Sequence, residues 1–261
     1  MTQPLIVVEI AHHICHIQLN RPEKLNAANR QLLAELAQAY TRAEADKDVR
    51  VVVVSAVGPH FTAGLDVADV LSTATDAGIS VVPDGEIDPW GVLTDPISKP
   101  VIVAASGTCF TLGIELMLAS DIAVADDTTI FGQIEVSRGI LPFGGATTRL
   151  PARVGWGNAM RWLLTGDTFT ATEALRMGMI QELTPAGEHV DRALDIARKI
   201  AAQAPLAVAA TIRNARLAQR SAETTALAEL PSELADLLKS KDFQAGVAAF
   251  STRTAPVFTG E

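Results

Sequence analysis

The segment Val49-Arg50-Val51-Val52-Val53-Val54-Ser55 limits the possible folds more than any other. Consecutive β-branched side chains favour an extended backbone. A strand with one wet face would alternate apolar and polar residues. A run apolar on both faces belongs instead at the centre of a covered parallel sheet. The pattern recurs with a strand at 100–105, a glycine-bearing loop, a helix at 113–119 and a strand at 121–125. This alternation predicts an α/β core.

Around that core, 5–10 and 14–19 are rich in Ile and Val and read as a hairpin of two strands, with Ala11-His12-His13 between them. Asn20-Arg21-Pro22 breaks the pattern. Residues 27–45 then have helical spacing, with Leu32, Leu33, Leu36 and Tyr40 on one side. A short helix is expected near Asp66. The stretch 73–92 carries Pro83, Pro89, Gly78, Gly85 and several Asp without any period, and reads as a flexible surface loop able to act as a pocket lid. From Thr147 onward helices dominate, with one extended piece near 180–183. Gly166 and Gly178 suit left-handed helix ends. Two alanine-rich helices are expected at 205–217 and 222–239.

The bulk properties exclude several functions. At 261 residues with 48% apolar and 20% charged content, the chain can bury a full core. It has no run of eighteen apolar residues, so a membrane span is not expected. The net charge of −9 disfavours nucleic acid and acidic membrane surfaces. The N-terminus lacks a secretory pattern, and Cys15 and Cys109 form no CxxC pair. They read as buried thiols in a reducing, cytoplasmic compartment.

Two loops and two carboxylates carry the candidate chemistry. Phe61-Thr62-Ala63-Gly64-Leu65-Asp66 follows a buried strand and opens a helix, so it is either a ligand-binding loop with free N–H groups or a tight turn capped by Asp66. Residues 107–121 form a second strand–loop–helix unit. There Glu115 lies among Ile114, Leu116, Met117 and Leu118, so its helix should be buried. A carboxylate in that setting is paired, protonated or functional, or it simply suits a helix N-terminus through the dipole. Glu135, in Ile130-Phe131-Gly132-Gln133-Ile134-Glu135-Val136, is a second carboxylate in an apolar setting, although most glutamates are surface residues. If the two converge, repulsion and desolvation would raise at least one pKa, leaving a proton donor beside an acceptor.

The remaining candidates are weaker. His12, His13 and His16, read as alternating in a strand, lack metal-site partners. His60 has no acidic orienter nearby. Cys109 has no basic neighbour. Pro142-Phe143-Gly144-Gly145 lacks nucleotide-loop spacing.

Together these segments resemble the crotonase superfamily of enoyl-CoA hydratases and isomerases over nearly the whole chain. Asn20-Arg21-Pro22-Glu23-Lys24-Leu25-Asn26-Ala27 is similar to N-R-P-x-x-x-N-A, and Phe61 to Asp66 is similar to F-x-A-G-x-D. Residues 107–121 resemble G-x-x-x-G-G-G-x-E-L-x-x-x-x-D. Residues 131–149 resemble F-G-x-P-E…P-x-x-G-G-x-x-R-L. Leu164-Thr165-Gly166 with 171–178, and Asp242-Phe243-Gln244-Ala245-Gly246 with Pro256-Val257-Phe258, complete the order.

The resemblance implies a spiral of ββα units over 1–200 and a helical trimerisation region over 201–261. It implies an oxyanion hole from the backbone N–H groups of Leu65 and Leu112. Lys24, Leu25, Ala27, Ala63, Gly64, Asp66, Val67, Gly113 and Phe143 would line the coenzyme A and acyl site. Glu115 would activate water and Glu135 would deliver a proton, making the chain an enoyl-CoA hydratase. Coenzyme A would enter only as part of the substrate, with no metal or other cofactor, and the chain would assemble as a trimer or hexamer. Three departures stand out: Thr111-Leu112 replaces two glycines, Ile134 stands where proline is usual, and Phe143 where glycine is common. They leave open an isomerase, a hydrolase or decarboxylase of the same superfamily, and a catalytically silent binder of CoA esters or proteins.

Overall fold

The computed structural model describes residues 4–70 and 82–257; for 217–218, 220–227, 229–230 and 233 it describes the backbone alone. Strand β1 (Ile6–Ala11) pairs antiparallel with β2 (Ile14–Leu19). His12 and His13 form the two-residue turn between them, both at positive φ (51° and 66°). This corrects the reading of these histidines as strand residues: only His16 lies in a strand, where its Nε2 bonds Ser55 Oγ at 2.8 Å.

The valine run forms β3 (Val51–Ala56) at the interior of a six-stranded sheet. It is flanked by β2 and by β4 (Val101–Ala105), both parallel to it. Strands β6 (Ile122–Asp126) and β9 (Glu182–Thr184) extend the sheet. Its pleat divides the valines between two cores. Val52 and Val54 pack with Leu32, Leu33, Leu36 and Tyr40 of helix α1 (Arg30–Ala45). Val51 and Val53 pack with Ala193, Ala197 and Ala201 of helix α7 (His189–Ala201). Covering both faces is what makes an all-apolar strand stable there.

Helix α1 begins at Arg30 rather than at residue 27, because Asn29 accepts the Leu32 N–H at 3.0 Å as its cap. Ala28 is thereby left extended, to bridge Leu65. A second sheet of three short strands was not legible in the sequence: β5 (Thr108–Phe110), β7 (Ile130–Gly132) and β8 (Thr168–Thr170). After β3 comes α2 (Val67–Val70), and between β5 and β6 lies α3 (Leu112–Ala119).

Helices α4 (Ala146–Val154), α5 (Trp156–Thr165) and α6 (Ala171–Arg176) follow β7. Gly166, at φ 66°, ends α5 in the left-handed conformation, as expected. The expected pair of C-terminal helices is one continuous helix, α8 (Pro205–Leu237), followed by α9 (Lys241–Thr252). Among the described residues no helix is long and apolar enough to cross a membrane. The architecture is α/β, as expected, with repeated β–α units and a helical C-terminal region.

Candidate active site

Strand pairing brings the two loops together. After β3 the chain runs beside β5: Phe61 N–H donates to Ser106 O, Thr62 N–H to Thr108 O, and Phe110 N–H to Thr62 O. Thr62 bridges Cys109 in parallel. Two residues beyond that bridge on each side stand Gly64 and Thr111. Consistently, a Cβ built on Gly64 would meet the Thr111 side chain. The Leu65 and Leu112 N–H groups donate to no carbonyl among the described residues, although those of Ala28, Asp66 and Glu115 around them are all engaged. Leu112 is the first residue of α3, where helical N–H groups lack intrahelical partners.

Helix α3 is apolar on every side except at Glu115, which is 1% exposed. Its Oε1 accepts backbone N–H bonds from Gly144 (2.7 Å) and Ala146 (3.2 Å). Burial pushes the carboxyl up to about 7. The Ala146 and Gly144 N–H groups and the Arg149 charge oppose that rise, and Asp88 adds to it.

Glu135 opens a short 3-10 helix, Glu135–Arg138, and is also buried. Its Oε2 has no hydrogen-bond partner among the described residues. Desolvation and then the Glu115 charge raise its pKa well above the ordinary carboxylate range. The charge of Glu115 thus acts on Glu135, twenty residues away in sequence.

Helix α9 packs on the back of the Glu135 segment. A Cβ on Gly246 would come within 2.6 Å of Arg138 O, and one on Gly139 within 2.7 Å of Phe243 Cα. The Arg138 guanidinium lies 5.0 Å from the centre of the Phe250 ring. The C-terminal region thus braces the short helix that carries Glu135.

Described residues of the expected lid are built into the site rather than lying over it; residues 71–81 fall outside the described residues. The Asp88 carboxylate accepts the N–H groups of Trp90 (2.9 Å), Val92 (2.7 Å) and Leu93 (2.9 Å), folding 88–93 around itself. The buried Trp90 indole donates to Leu112 O at 3.0 Å. Arg149 donates to the carbonyls of Trp90 and Gly91 and, at 3.5 Å, of Gly144. It therefore ties this loop to the turn that holds Glu115. Trp90, Leu112 and Gly113 line an apolar cavity with Leu32, Leu36, Phe61 and Leu116.

Sequence reasoning missed Asp88, Trp90 and Arg149 as contributors to the site. The Asp88-Pro89-Trp90-Gly91 string did carry a turn signal, since an aspartate can bind the amides that follow it.

The other expected site residues flank the same loops. Lys24 is exposed, and Leu25 (φ 51°) is 43% exposed. Ala63 N–H donates to Leu25 O at 2.9 Å, joining the 20–27 segment to the Phe61–Asp66 loop. Arg21 Nη1 bonds both Ala27 O (2.8 Å) and Asp66 Oδ2 (2.7 Å). Asp66 thus ion-pairs with Arg21. Val67 is exposed at the start of α2. Gly113 packs against Thr62, Cys109 and Phe61 so closely that a Cβ would lie 2.7 Å from Thr62 Cγ2. Phe143 is half-buried beside Gly144. His60 Nδ1 accepts the Thr108 N–H at 3.0 Å, which makes it a loop tether. Both cysteines are buried, and burial raises both thiols.

Comparison with known proteins identifies the family. The model of the family described as enoyl-CoA hydratase/isomerase matches residues 9–261. The enoyl-CoA hydratase EchA19 of Mycobacterium tuberculosis is 31% identical over 260 residues, which cover 98% of this chain and 96% of that protein. A solved structure of a probable enoyl-CoA hydratase/isomerase from Mycobacterium abscessus is 49% identical, with a TM-score of 0.80 over 98% of this chain and 99% of that one. Carnitinyl-CoA hydratase from Mycobacterium avium is 33% identical, with a TM-score of 0.90 over 100% of both chains. With a whole-chain family match and full-length relatives of this similarity, the chain belongs to the enoyl-CoA hydratase/isomerase family of the crotonase superfamily.

Proposed function

We propose that this member of a CoA-thioester enzyme family hydrates trans-2-enoyl-CoA esters. The observation that carries the reading is the pair of buried carboxylates, Glu115 and Glu135, the second raised by the charge of the first, in a chain whose Leu65 and Leu112 N–H groups donate to no carbonyl among the described residues. The Leu65 and Leu112 N–H groups would hold the thioester oxygen and stabilise the negative charge that builds on it. Glu115, ionised in part near neutrality, accepts a proton from water as the water oxygen bonds to the β-carbon. Glu135, whose proton burial and the Glu115 charge help to retain, gives that proton to the α-carbon. The product is a 3-hydroxyacyl-CoA, and a proton passed between the carboxylates through solvent restores the starting state.

The groove residues Lys24, Leu25, Ala27, Ala63, Gly64, Asp66 and Val67 would receive the coenzyme A portion, and Gly113 and Phe143 the acyl portion. Chain relatives named as hydratases support water addition. The region 201–261 would mediate assembly into trimers or hexamers, leaving 1–200 as the catalytic core. Incubation with crotonyl-CoA should bleach the conjugated absorbance and yield 3-hydroxybutyryl-CoA. Conversion of a 3-enoyl-CoA to its conjugated isomer without any hydration would replace this reading with isomerisation.

A further inference from the structure

Thr111 breaks two local rules at the point where the loops meet. It is a β-branched residue at φ 48°, ψ −110°, a backbone conformation suited to glycine. It also precedes α3 as its N-cap, where a threonine hydroxyl ordinarily accepts a helix N–H, yet it makes no such bond. Oγ1 is instead buried without any hydrogen-bond partner among the described residues. A Cβ on Gly64 would lie 2.0 Å from it, so the hydroxyl occupies the space directly over Gly64. By connectivity the hydroxyl belongs to the residue before the Leu112 N–H and lies against the residue before the Leu65 N–H, two groups that donate to no carbonyl among the described residues. Strain and a desolvated, unused donor both cost stability and persist where a site needs them.

We propose that the Thr111 hydroxyl is a third hydrogen-bond donor to the thioester oxygen, alongside the Leu65 and Leu112 N–H groups. The inference rests on the thioester-binding reading of the site, but it does not depend on which reaction follows. A donor on a rotatable side chain strengthens its bond as charge grows on the oxygen, so Thr111 acts as a catalytic residue. It also narrows the hole, favouring an oxygen held in one orientation.

The test compares wild type with Thr111→Ser, which keeps the hydroxyl, and Thr111→Val, which keeps the shape and loses it. Thr111→Ala serves in place of the valine variant should that fail to fold. The readouts are the infrared carbonyl stretch of bound butyryl-CoA, isotopically labelled at the thioester carbon, together with kcat on crotonyl-CoA and thermal stability. The stretch should fall on binding to wild type and to Thr111→Ser, and fall less in Thr111→Val. In the valine variant kcat should drop about ten-fold or more, with melting unchanged or raised because an unused donor has gone. Equal carbonyl shifts and equal kcat in all variants would overturn the proposal and make Thr111 a space-filling residue. A hydroxyl-dependent shift in an enzyme that does not hydrate would uphold the third donor while removing the hydratase reading. No carbonyl shift in wild type would overturn both.

Discussion

Glu115 and Gly144 are fitted to each other: the Gly144 N–H donates to Glu115 Oε1 at 2.7 Å, and a Cβ at residue 144 would stand 2.5 Å from Oε2. The turn that orients the carboxylate is therefore also the turn that leaves it room. Gly144→Ala should push the carboxylate aside. A reacting group moved by about 1 Å commonly costs on the order of 100-fold in rate, so kcat on crotonyl-CoA should fall by that order, with KM little changed. A kcat within two-fold of wild type would show that the carboxylate tolerates displacement.

The raised carboxyls fix how stability depends on pH. Burial moves Glu115 from 4.5 to about 7 and Glu135 in the same direction. In the unfolded chain both ionise at the ordinary value, so over that window the folded form holds more protons than the unfolded form. Stability is therefore lost as pH rises from the ordinary carboxylate range through about 7 for Glu115, and Glu135 contributes in the same direction. Glu135→Gln should raise the denaturation midpoint at pH 8 (a chosen condition, about one unit above the Glu115 value) and change it little near pH 4. The same gain at both would contradict the direction of these shifts. In turnover, the need for ionised Glu115 should give kcat an acid limb near 7.

Asn26 pins the 20–27 segment to the chain at 57–60. Its side chain accepts the Arg21 N–H (2.7 Å) and donates to Val57 O (3.1 Å) and His60 O (2.8 Å), all while fully buried. Asn26→Ala leaves these buried groups without partners, at about 1–3 kcal/mol for each that stays dry. A loss of about 2–4 kcal/mol in urea unfolding is expected. A loss under about 0.5 kcal/mol would mean that water replaces the bonds.

The helical tail predicts assembly. Leu206, Phe250 and Val257 are 85%, 62% and 80% exposed, and Trp156 and Leu164 are 73% and 70% exposed on α5. Light scattering should give the mass of a trimer or a hexamer. A monomer at micromolar concentration would remove the assembly reading.

The core was legible because its signals are dense. The valine run announced a doubly covered strand, and an acidic residue in the otherwise apolar α3 announced Glu115. What escaped had physical reasons. Strands β5, β7 and β8 have three residues each, too short for a period to emerge. The polar stretch inside α8 read as a break, but polar residues interrupt an apolar stripe without interrupting backbone hydrogen bonding. The loop around Trp90 draws its order from Asp88 binding local amides and from Arg149, sixty-one residues beyond Asp88. No periodicity records such long-range bonds. The approach of Gly64 to Thr111 depends on the register set at Thr62 and Cys109, which only the folded chain reveals.

The account stands on two carboxylates acting on one bound thioester, and turnover of paired variants tests it most directly. Steady-state hydration of crotonyl-CoA by Glu115→Gln and Glu135→Gln should fall by at least about 100-fold in each, while both still bind butyryl-CoA with near wild-type affinity. Full hydration activity surviving in either variant would contradict the assigned chemistry.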